Sequence, residues 1–204
     1  MHILMVCSGN VCRSPMAEYM MRDALRRRGV SDIDGDGIAV SSAGLLRLSP
    51  RPMDGTCMRM LADESRIDGS NGVDPAMHLS TPIYDTPYMR STGTNILVLC
   101  FERDHIDEIL LANPSLVRST FLMTEFAELC TAARRRGDFD AIDPDSPDDA
   151  ASRLLTVMRN APFLRPGLPP AADVPDPFHR SLNDYRNAYD AIRECIADIV
   201  SILP

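Results

Sequence analysis

Hydrophobic positions in this chain fall into four short apolar runs, which are separated by longer segments with helical spacing. Residues 2–7 and 95–101 are nearly continuous apolar runs, which is typical of strands buried on both faces of a parallel sheet. Shorter runs at 38–42 and 120–123 predict two further strands. Because helical segments separate the strands, the pattern predicts an α/β fold in which a single domain holds a four-stranded parallel sheet with helices on both faces.

Capping residues and glycines mark the expected ends of the helices. The first helix is predicted to begin at Ser14, whose side chain can cap it, with Pro15 in its first turn and Gly29 at its end. Later helices are predicted at about 52–65, 104–112, 124–136, 150–160 and 182–203. Alternating strands and helices of this kind place ligands beyond the carboxyl ends of the strands.

Two stretches interrupt the alternation of strands and helices. Residues 68–93 are rich in Gly, Ser, Pro and Thr and are predicted to be mostly loop. Residues 137–172 include an acidic run at 138–149 and a proline-rich end, and we expect them to form a surface insertion. Since the pattern contains no repeat and no second core, we expect one domain over residues 1–204.

Composition and charge exclude several kinds of partner. The formal net charge is −8, which argues against non-specific binding to nucleic acid. No apolar run approaches the roughly 20 residues of a membrane helix, and the amino-terminal segment resembles a strand more than a secretory signal. We therefore expect a cytoplasmic protein that binds neither nucleic acid nor a membrane. All 21 Lys and Arg residues are Arg, so any cationic side chain that contacts phosphate must be a guanidinium.

The six cysteines do not form a recognisable metal motif. No Cys-x-x-Cys pair occurs, so neither a zinc site nor another cofactor is predicted. In a chain of this length and compartment, free thiols are expected instead of a disulfide framework. Four of them are expected to be core or helix-face thiols: Cys57, Cys100, Cys130 and Cys195.

The chemistry of the chain is concentrated in residues 7–14, between the first strand and the first helix. They read Cys-Ser-Gly-Asn-Val-Cys-Arg-Ser and fit the pattern Cys-x5-Arg-Ser. A loop of small residues before a helix directs successive backbone N–H groups inward, where they can bind an anion. Gly9 supplies backbone freedom, Asn10 tolerates a left-handed conformation, and Arg13 can donate two hydrogen bonds to two phosphate oxygens.

The same loop is predicted to activate Cys7. Helix N-termini and neighbouring cations favour the thiolate form of a cysteine, and the hydroxyl of Ser14 can add a hydrogen bond to the sulfur. Cys7 is therefore predicted to be an ionised nucleophile that lies beneath the phosphorus of a bound phosphate.

The run Val-Cys-x-Gly-Asn-x-Cys-Arg-Ser-Pro near the amino terminus resembles the phosphate loop of bacterial low-molecular-weight protein-tyrosine phosphatases. That family carries its general acid in an Asp-Pro-aromatic motif near the carboxyl terminus. Of the Asp-Pro pairs that begin at Asp74, Asp143 and Asp176, only the last is followed by an aromatic residue, Phe178. The resemblance therefore implies Asp176 as the general acid, whereas the other two pairs are interpreted as turns.

The resemblance implies hydrolysis of phosphotyrosine in two steps, without a metal or other cofactor. Cys7 attacks phosphorus while Asp176 protonates the leaving phenolate, and Asp176 then activates the water that releases phosphate from the phosphocysteine. Arg13 and the loop amides stabilise the charge of the transition state. The substrate is expected to be a phosphotyrosine-containing protein, with a bacterial tyrosine kinase as one candidate. Phosphate and substrate are expected to contact Ser8, Gly9, Asn10, Val11, Cys12, Ser14 and Phe178.

Three smaller features follow from the same resemblance. Family members with both loop cysteines form an intraloop disulfide, which would join Cys7 to Cys12 and protect Cys7 from overoxidation; the alternative for Cys12 is a small buried residue under the loop. His78 is either the family histidine that supports the phosphate loop or a solvent-exposed loop histidine. Val11 favours phosphotyrosine, because bacterial arginine phosphatases carry Thr at that position.

Other functions remain open at this point. An arginine phosphatase or another phosphomonoester phosphatase would share the loop. A thioredoxin-coupled arsenate reductase needs two further cysteines close together in the middle of the chain, and Cys57, Cys100 and Cys130 are far apart in the sequence. A non-catalytic phosphate-binding module would not require the Asp-Pro acid.

Overall fold

The central element of the fold is a four-stranded, all-parallel sheet. The computed structural model describes residues 1–30, 37–67, 69, 74–90, 92, 95–139 and 150–204. Its strands are β1 (His2–Cys7), β2 (Ala39–Gly44), β3 (Ile96–Cys100) and β4 (Thr120–Leu122). Their order in the sheet is β2-β1-β3-β4, and every pair is parallel. The predicted α/β class and its four parallel strands are confirmed.

The order of the strands changes direction at β1, which pairs with β2 on one side and with β3 on the other. In open parallel sheets, ligands bind outside the carboxyl ends of the strands at such a point. Cys7 is the last residue of β1. The loop of residues 8–12, which we call the phosphate loop, therefore begins where this topology places a ligand.

Helices lie at all the predicted positions in the described part of the chain. They are α1 (Arg13–Arg27), α2 (Gly55–Ser65), α3 (Arg103–Ala112), α4 (Met123–Arg136), α5 (Ala150–Leu164) and α6 (Leu182–Val200). None of these described helices has the length and apolar character that a membrane-spanning helix needs. The predicted loop at 68–93 contains, in its described part, three short 3₁₀ turns.

Two helices begin at residues other than those predicted. The N-cap of α1 is Cys12, which makes no capping bond through its side chain, so the predicted cap at Ser14 is wrong. The Ser14 hydroxyl bonds within the phosphate loop instead, as described below. Helix α2 begins at Gly55 and not near residue 52, because Asp54 caps it and accepts hydrogen bonds from the first backbone N–H groups of the helix.

Apolar side chains pack against both faces of the sheet. On one face, Ile3 and Met5 join a large cluster that includes residues of α1, α4 and α6. On the other face, Leu4 and Val6 pack with Ile109 of α3 in a smaller cluster. Successive residues of a strand point to opposite faces. Both faces of the sheet are covered, and β1 is correspondingly apolar from Ile3 to Cys7. The buried strand fixes the position of Cys7 at its end.

Helix α5 lies in the segment expected to form a surface insertion, 137–172. Its residues Leu154, Val157 and Ala161 are buried in the large cluster, so this helix adds to the core. Residues 140–149, which include most of the acidic run and Asp143, lie outside the described residues. That 137–172 is an insertion stays a prediction.

Candidate active site

Cys7 lies at the bottom of a small cavity above the carboxyl end of β1. The side chain is buried, and its Sγ is 3.0 Å from Oγ of Ser14, as predicted. The cavity has a volume of about 90 Å³. Its walls consist of Cys7, Ser8, Gly9, Val11, Cys12, Leu46, Leu48, Arg51, Asp176 and Phe178. Six of the predicted site residues other than Cys7 therefore surround one space.

Asn10 holds the phosphate loop in shape. Its φ of 53° is left-handed, as predicted. The side chain is fully buried and donates through Nδ2 to the hydroxyls of Ser14 (3.0 Å) and Ser42 (2.8 Å), while its Oδ1 accepts from the backbone N–H of Thr81 (2.9 Å). All three polar contacts are to the protein. The Asn10 side chain therefore supports the loop. The phosphate contact expected of Asn10 is assigned to its backbone N–H group.

The underside of the loop is packed against a histidine and a glycine. His78 is only 7% exposed, and its Nε2 lies 2.8 Å from the carbonyl oxygen of Asn10. The alternative of a solvent-exposed loop histidine is therefore wrong. Gly44, at the end of β2, is required by close packing, because a Cβ there would lie 3.0 Å from backbone atoms of Ser8, Gly9 and Asn10.

Arg13 is buried beside the cavity and is positioned by groups from distant parts of the chain. Its Nη1 donates to Oε1 of Glu102 (2.7 Å) and to the carbonyl oxygen of Val174 (2.8 Å). Its Nη2 forms an ion pair with Oδ2 of Asp176 at 3.1 Å. Among the described residues, Nε and Nη2 have no acceptor with hydrogen-bond geometry. The guanidinium is thus fixed on one side and offers two N–H donors on the other, which suits an anion with two oxygens.

His105 is a residue of the site that was not predicted from the sequence. Its Nε2 lies 3.0 Å from Oγ of Ser8 and 3.1 Å from Oε2 of Glu102. Burial, and then the positive charge of Arg13, lower the pKa of His105, against the opposing effect of nearby carboxylates. Through these two contacts the imidazole connects the phosphate loop to Glu102. Glu102 directly precedes α3, and His105 lies in the first turn of this helix. These two residues form no recognisable sequence motif with the phosphate loop.

Asp176 reaches the cavity from the segment that precedes α6. Its side chain is 39% exposed, and its Oδ1 accepts a hydrogen bond from the backbone N–H of Phe178 (3.3 Å). The segment is attached to the sheet by a hydrogen bond from the N–H of Val174 to the carbonyl of Phe101 (2.8 Å). Asp74, in contrast, caps a short 3₁₀ turn, as expected for a simple Asp-Pro turn.

Cys12 lies close to Cys57 of α2. The sulfurs of both residues lie within 4.8 Å of each other and of a carboxylate oxygen of Asp54. The hydrogen bond with Cys57, followed by burial and by the nearby negative charges, raises the pKa of Cys12. Cys57 is fully buried, as expected of a core thiol. Its proximity to the loop was not predicted, because Cys12 and Cys57 are 45 positions apart in the sequence. All six cysteines are free thiols.

The outer wall of the cavity is aliphatic and basic on the side of residues 45–51. Leu46 is 53% exposed and Leu48 is 37% exposed, and both line the cavity with Arg51. Phe178 supplies an aromatic ring on the opposite segment, where it lies against His179. The cavity wall is therefore aliphatic at Leu46 and Leu48 and aromatic at Phe178.

A strand-end cysteine, an anion-binding loop, a buried arginine and a nearby carboxylate define an α/β enzyme of phosphate-ester chemistry. The model of the family "Low molecular weight phosphotyrosine protein phosphatase" matches residues 2–149. The chain belongs to this family, whose members are phosphoric monoester hydrolases. The family predicted from the phosphate loop is thus confirmed.

Individual relatives agree with this assignment. The low molecular weight protein-tyrosine-phosphatase PtpA of Staphylococcus epidermidis is 30% identical over 128 residues, which are 63% of this chain and 72% of the relative. The fold matches that of a low molecular weight protein tyrosine phosphatase from T. tengcongensis with a TM-score of 0.64 and 20% identity, over 100% of this chain and 99% of that one. It also matches the YwlE arginine phosphatase from Geobacillus stearothermophilus with a TM-score of 0.62 and 21% identity, over 98% and 90% of the two chains.

Proposed function

We propose that this enzyme hydrolyses phosphotyrosine in proteins through a phosphocysteine on Cys7, with Arg13 as the phosphate clamp and Asp176 as the general acid and base. One observation carries the proposal. The Nε and Nη2 groups of the buried Arg13 make no hydrogen bond with the described residues, although Nη2 is ion-paired with Asp176, and Arg13 directly follows the loop that begins at Cys7. Two oxygens of a bound phosphate can accept hydrogen bonds from these N–H groups. Their binding is favoured, because a buried N–H group without a partner costs about 1–3 kcal/mol.

In the first step, the Cys7 sulfur attacks phosphorus and the bond to the tyrosyl oxygen breaks. The hydroxyl of Ser14 stabilises the attacking sulfur through its 3.0 Å contact. Asp176 lines the same cavity and is partly exposed, so it can protonate the departing phenolate from the open side. Arg13 and the backbone N–H groups of the loop bind the oxygens on which charge increases.

In the second step, Asp176 removes a proton from a water molecule that enters the space left by tyrosine. This water attacks phosphorus, and phosphate leaves as the Cys7 thiolate is restored. Every group used is a side chain or amide of this chain, and the proposed mechanism requires no metal.

The walls of the cavity support tyrosine as the amino acid that bears the phosphate. Val11, Leu46 and Leu48 present aliphatic surface and Phe178 presents a ring, which suits a phenyl group better than the charged guanidinium of phosphoarginine. A phosphotyrosine-containing protein in the cytoplasm of a bacterium is the proposed substrate, and an autophosphorylated tyrosine kinase is one candidate.

The test compares the wild type with Cys7→Ser and Asp176→Asn on a phosphotyrosine peptide and on phosphoarginine, in EDTA and reductant. We expect turnover of phosphotyrosine by the wild type, none by Cys7→Ser and slow turnover by Asp176→Asn. Preference for phosphoarginine in kcat/KM would contradict the assignment to tyrosine. Loss of wild-type activity in EDTA, restored by a divalent metal, would contradict the metal-free mechanism.

A further inference from the structure

The proposed mechanism leaves one cluster of reactive side chains unused, and this cluster lies directly behind the phosphate loop. It consists of Cys12, Asp54 and Cys57, with the ligand atoms of all three within 4.8 Å of one another. Cys12 is 2% exposed and Cys57 is fully buried. The backbone N–H of Asp54 donates to the carbonyl oxygen of Val11 at 2.8 Å, so the start of α2 is attached to the loop itself.

Cys12 is placed between two other thiols. On its outer side it shares the walls of the 90 Å³ cavity with Cys7. On its inner side its sulfur lies within 4.8 Å of that of Cys57. An oxidant that enters the cavity meets Cys7, whereas Cys57 is fully buried. Cys12 is therefore placed to pass oxidation from Cys7 to Cys57 by thiol–disulfide exchange.

We propose that Cys57 is a resolving thiol, which accepts a disulfide from the phosphate loop through Cys12 and returns Cys7 to its reduced form. This inference rests on the proposed function, because it requires Cys7 to be a reactive thiolate in the cavity. It gives the buried pair of Cys12 and Cys57 a role beyond packing, as the site of a Cys12–Cys57 disulfide.

The reaction has three balanced steps, with a hydroperoxide as the oxidant. First, the Cys7 thiolate breaks the O–O bond, takes one oxygen as a sulfenic acid and releases an alkoxide or hydroxide. Second, the Cys12 thiol condenses with the sulfenic acid, so that an S–S bond forms and water leaves. Third, the sulfur of Cys57 attacks that of Cys12, the bond between Cys7 and Cys12 breaks, and Cys7 departs as a thiolate while the carboxylate of Asp54 takes the proton of Cys57.

The third step is favoured by the surroundings of the sulfurs. In thiol–disulfide exchange the sulfur that is more stable as a thiolate is the better leaving group. The Cys7 sulfur is 3.0 Å from the hydroxyl of Ser14 and lies close to the N-terminus of α1, where a thiolate is stabilised, whereas Cys12 has a raised pKa beside Cys57 and Asp54. The electrons of the broken bond therefore go to Cys7, and the disulfide moves to the buried pair.

The test treats the reduced protein with one equivalent of hydrogen peroxide in EDTA, alkylates the remaining thiols and maps disulfides by mass spectrometry without reduction. For the wild type we expect a Cys12–Cys57 disulfide, an alkylated Cys7, and phosphatase activity that returns without added reductant. For Cys57→Ser we expect a Cys7–Cys12 disulfide and loss of activity until dithiothreitol is added. Cys195→Ser, which alters another buried thiol, is the matched control and should behave as the wild type.

A wild-type map with Cys57 alkylated and Cys7 either bridged to Cys12 or overoxidised would overturn the inference. The disulfide map of the wild type tests the inference even if Cys57→Ser folds poorly, because this map requires no variant. The map also separates this inference from the proposed function. A Cys12–Cys57 disulfide in a protein that hydrolyses no phosphotyrosine would support the thiol exchange and reject the proposed substrate.

Discussion

The phosphate loop and the segment that carries Asp176 meet at one cavity but are held in different ways. The loop of residues 8–12 is supported from beneath by buried hydrogen bonds of Asn10 and by the contact of His78 with its backbone. The acid segment, residues 171–178, is fixed through the backbone of Val174, while Asp176 itself is 39% exposed.

This difference corresponds to the different tasks of the two regions. Stabilising a phosphoryl transition state requires donors that are in place before the reaction, because their reorganisation would cost free energy. A proton donor must only approach the leaving oxygen and also leave room for water in the second step. We therefore expect substitutions in the loop to reduce both activity and stability, and substitutions in the acid segment to reduce activity alone.

The largest effect is expected from Asp176→Asn, which removes the proton donor. On phenyl phosphate kcat should fall by about 10²–10⁴-fold, and by less on p-nitrophenyl phosphate, whose leaving group needs no proton. Because the carboxylate is partly exposed, the free energy of unfolding should change by less than about 1 kcal/mol. Steady-state kinetics and urea unfolding measure the two effects. Asp173→Asn, in the same segment, is the control, and an equal loss in that variant would contradict the assignment.

Arg13→Lys should reduce kcat by about 10²–10³-fold, the usual effect of removing a donor to a developing oxyanion. Lysine keeps the charge but cannot donate in a fork while also reaching Glu102 and Val174. Binding of vanadate should weaken in parallel, as measured by inhibition of p-nitrophenyl phosphate hydrolysis. Arg22→Lys on the surface of α1 is the matched control. Full activity of Arg13→Lys would show that charge alone is sufficient.

Asn10→Ala tests the support of the loop directly. It removes the hydrogen bonds to the hydroxyls of Ser14 and Ser42 and to the backbone N–H of Thr81, and we expect a loss of about 1–3 kcal/mol in the free energy of unfolding together with reduced kcat/KM. Denaturant unfolding and kinetics on the same preparation measure both. Asn187→Ala, on the exposed side of α6, should change neither. If Asn10→Ala lost activity without losing stability, the contrast between loop and acid segment would fail.

The smallest effect concerns His2, at the far end of β1, where it stacks on Tyr88. Burial, and then the charge of the amino terminus, lower the pKa of His2 from 6.5 to about 4. Between these two pH values the unfolded chain binds a proton on His2 that the folded chain does not bind. The contribution of the buried His2 to stability is therefore fully present above pH 6.5 and is lost as the pH falls toward 4. His2→Gln should flatten the dependence of Tm on pH in this range, whereas Asn187→Gln, which replaces a residue that does not titrate, should not. An unchanged slope would contradict the assignment.

Much of this account could be predicted from the sequence, because it depends on local patterns. Apolar runs predicted the four strands, and the Cys-x5-Arg-Ser pattern located the phosphate loop at the end of β1. The groups that the sequence did not reveal act across long separations and belong to no local pattern. Glu102 and His105 reach Arg13 and Ser8 from the other side of the sheet, and no spacing rule indicates such a contact.

The roles of two other residues could not be predicted from the sequence, for different physical reasons. Gly44 stands in a Ser-Ser-Ala-Gly run that marks the end of a strand, but the need for glycine arises only from the phosphate loop packed against it. Cys57 has the burial of any core thiol, and only the fold places it beside Cys12. Side chains that support a site are thus less visible in the sequence than those that perform its chemistry.

The most direct test of the central claim is a pre-steady-state measurement on Asp176→Asn with p-nitrophenyl phosphate, followed by acid quench and mass mapping. Because formation of the intermediate needs no proton for this leaving group while its hydrolysis needs the base, we predict a burst of p-nitrophenol equal to the enzyme concentration and a phosphate on Cys7. The absence of a burst, or a phosphate on any other residue, would contradict the account.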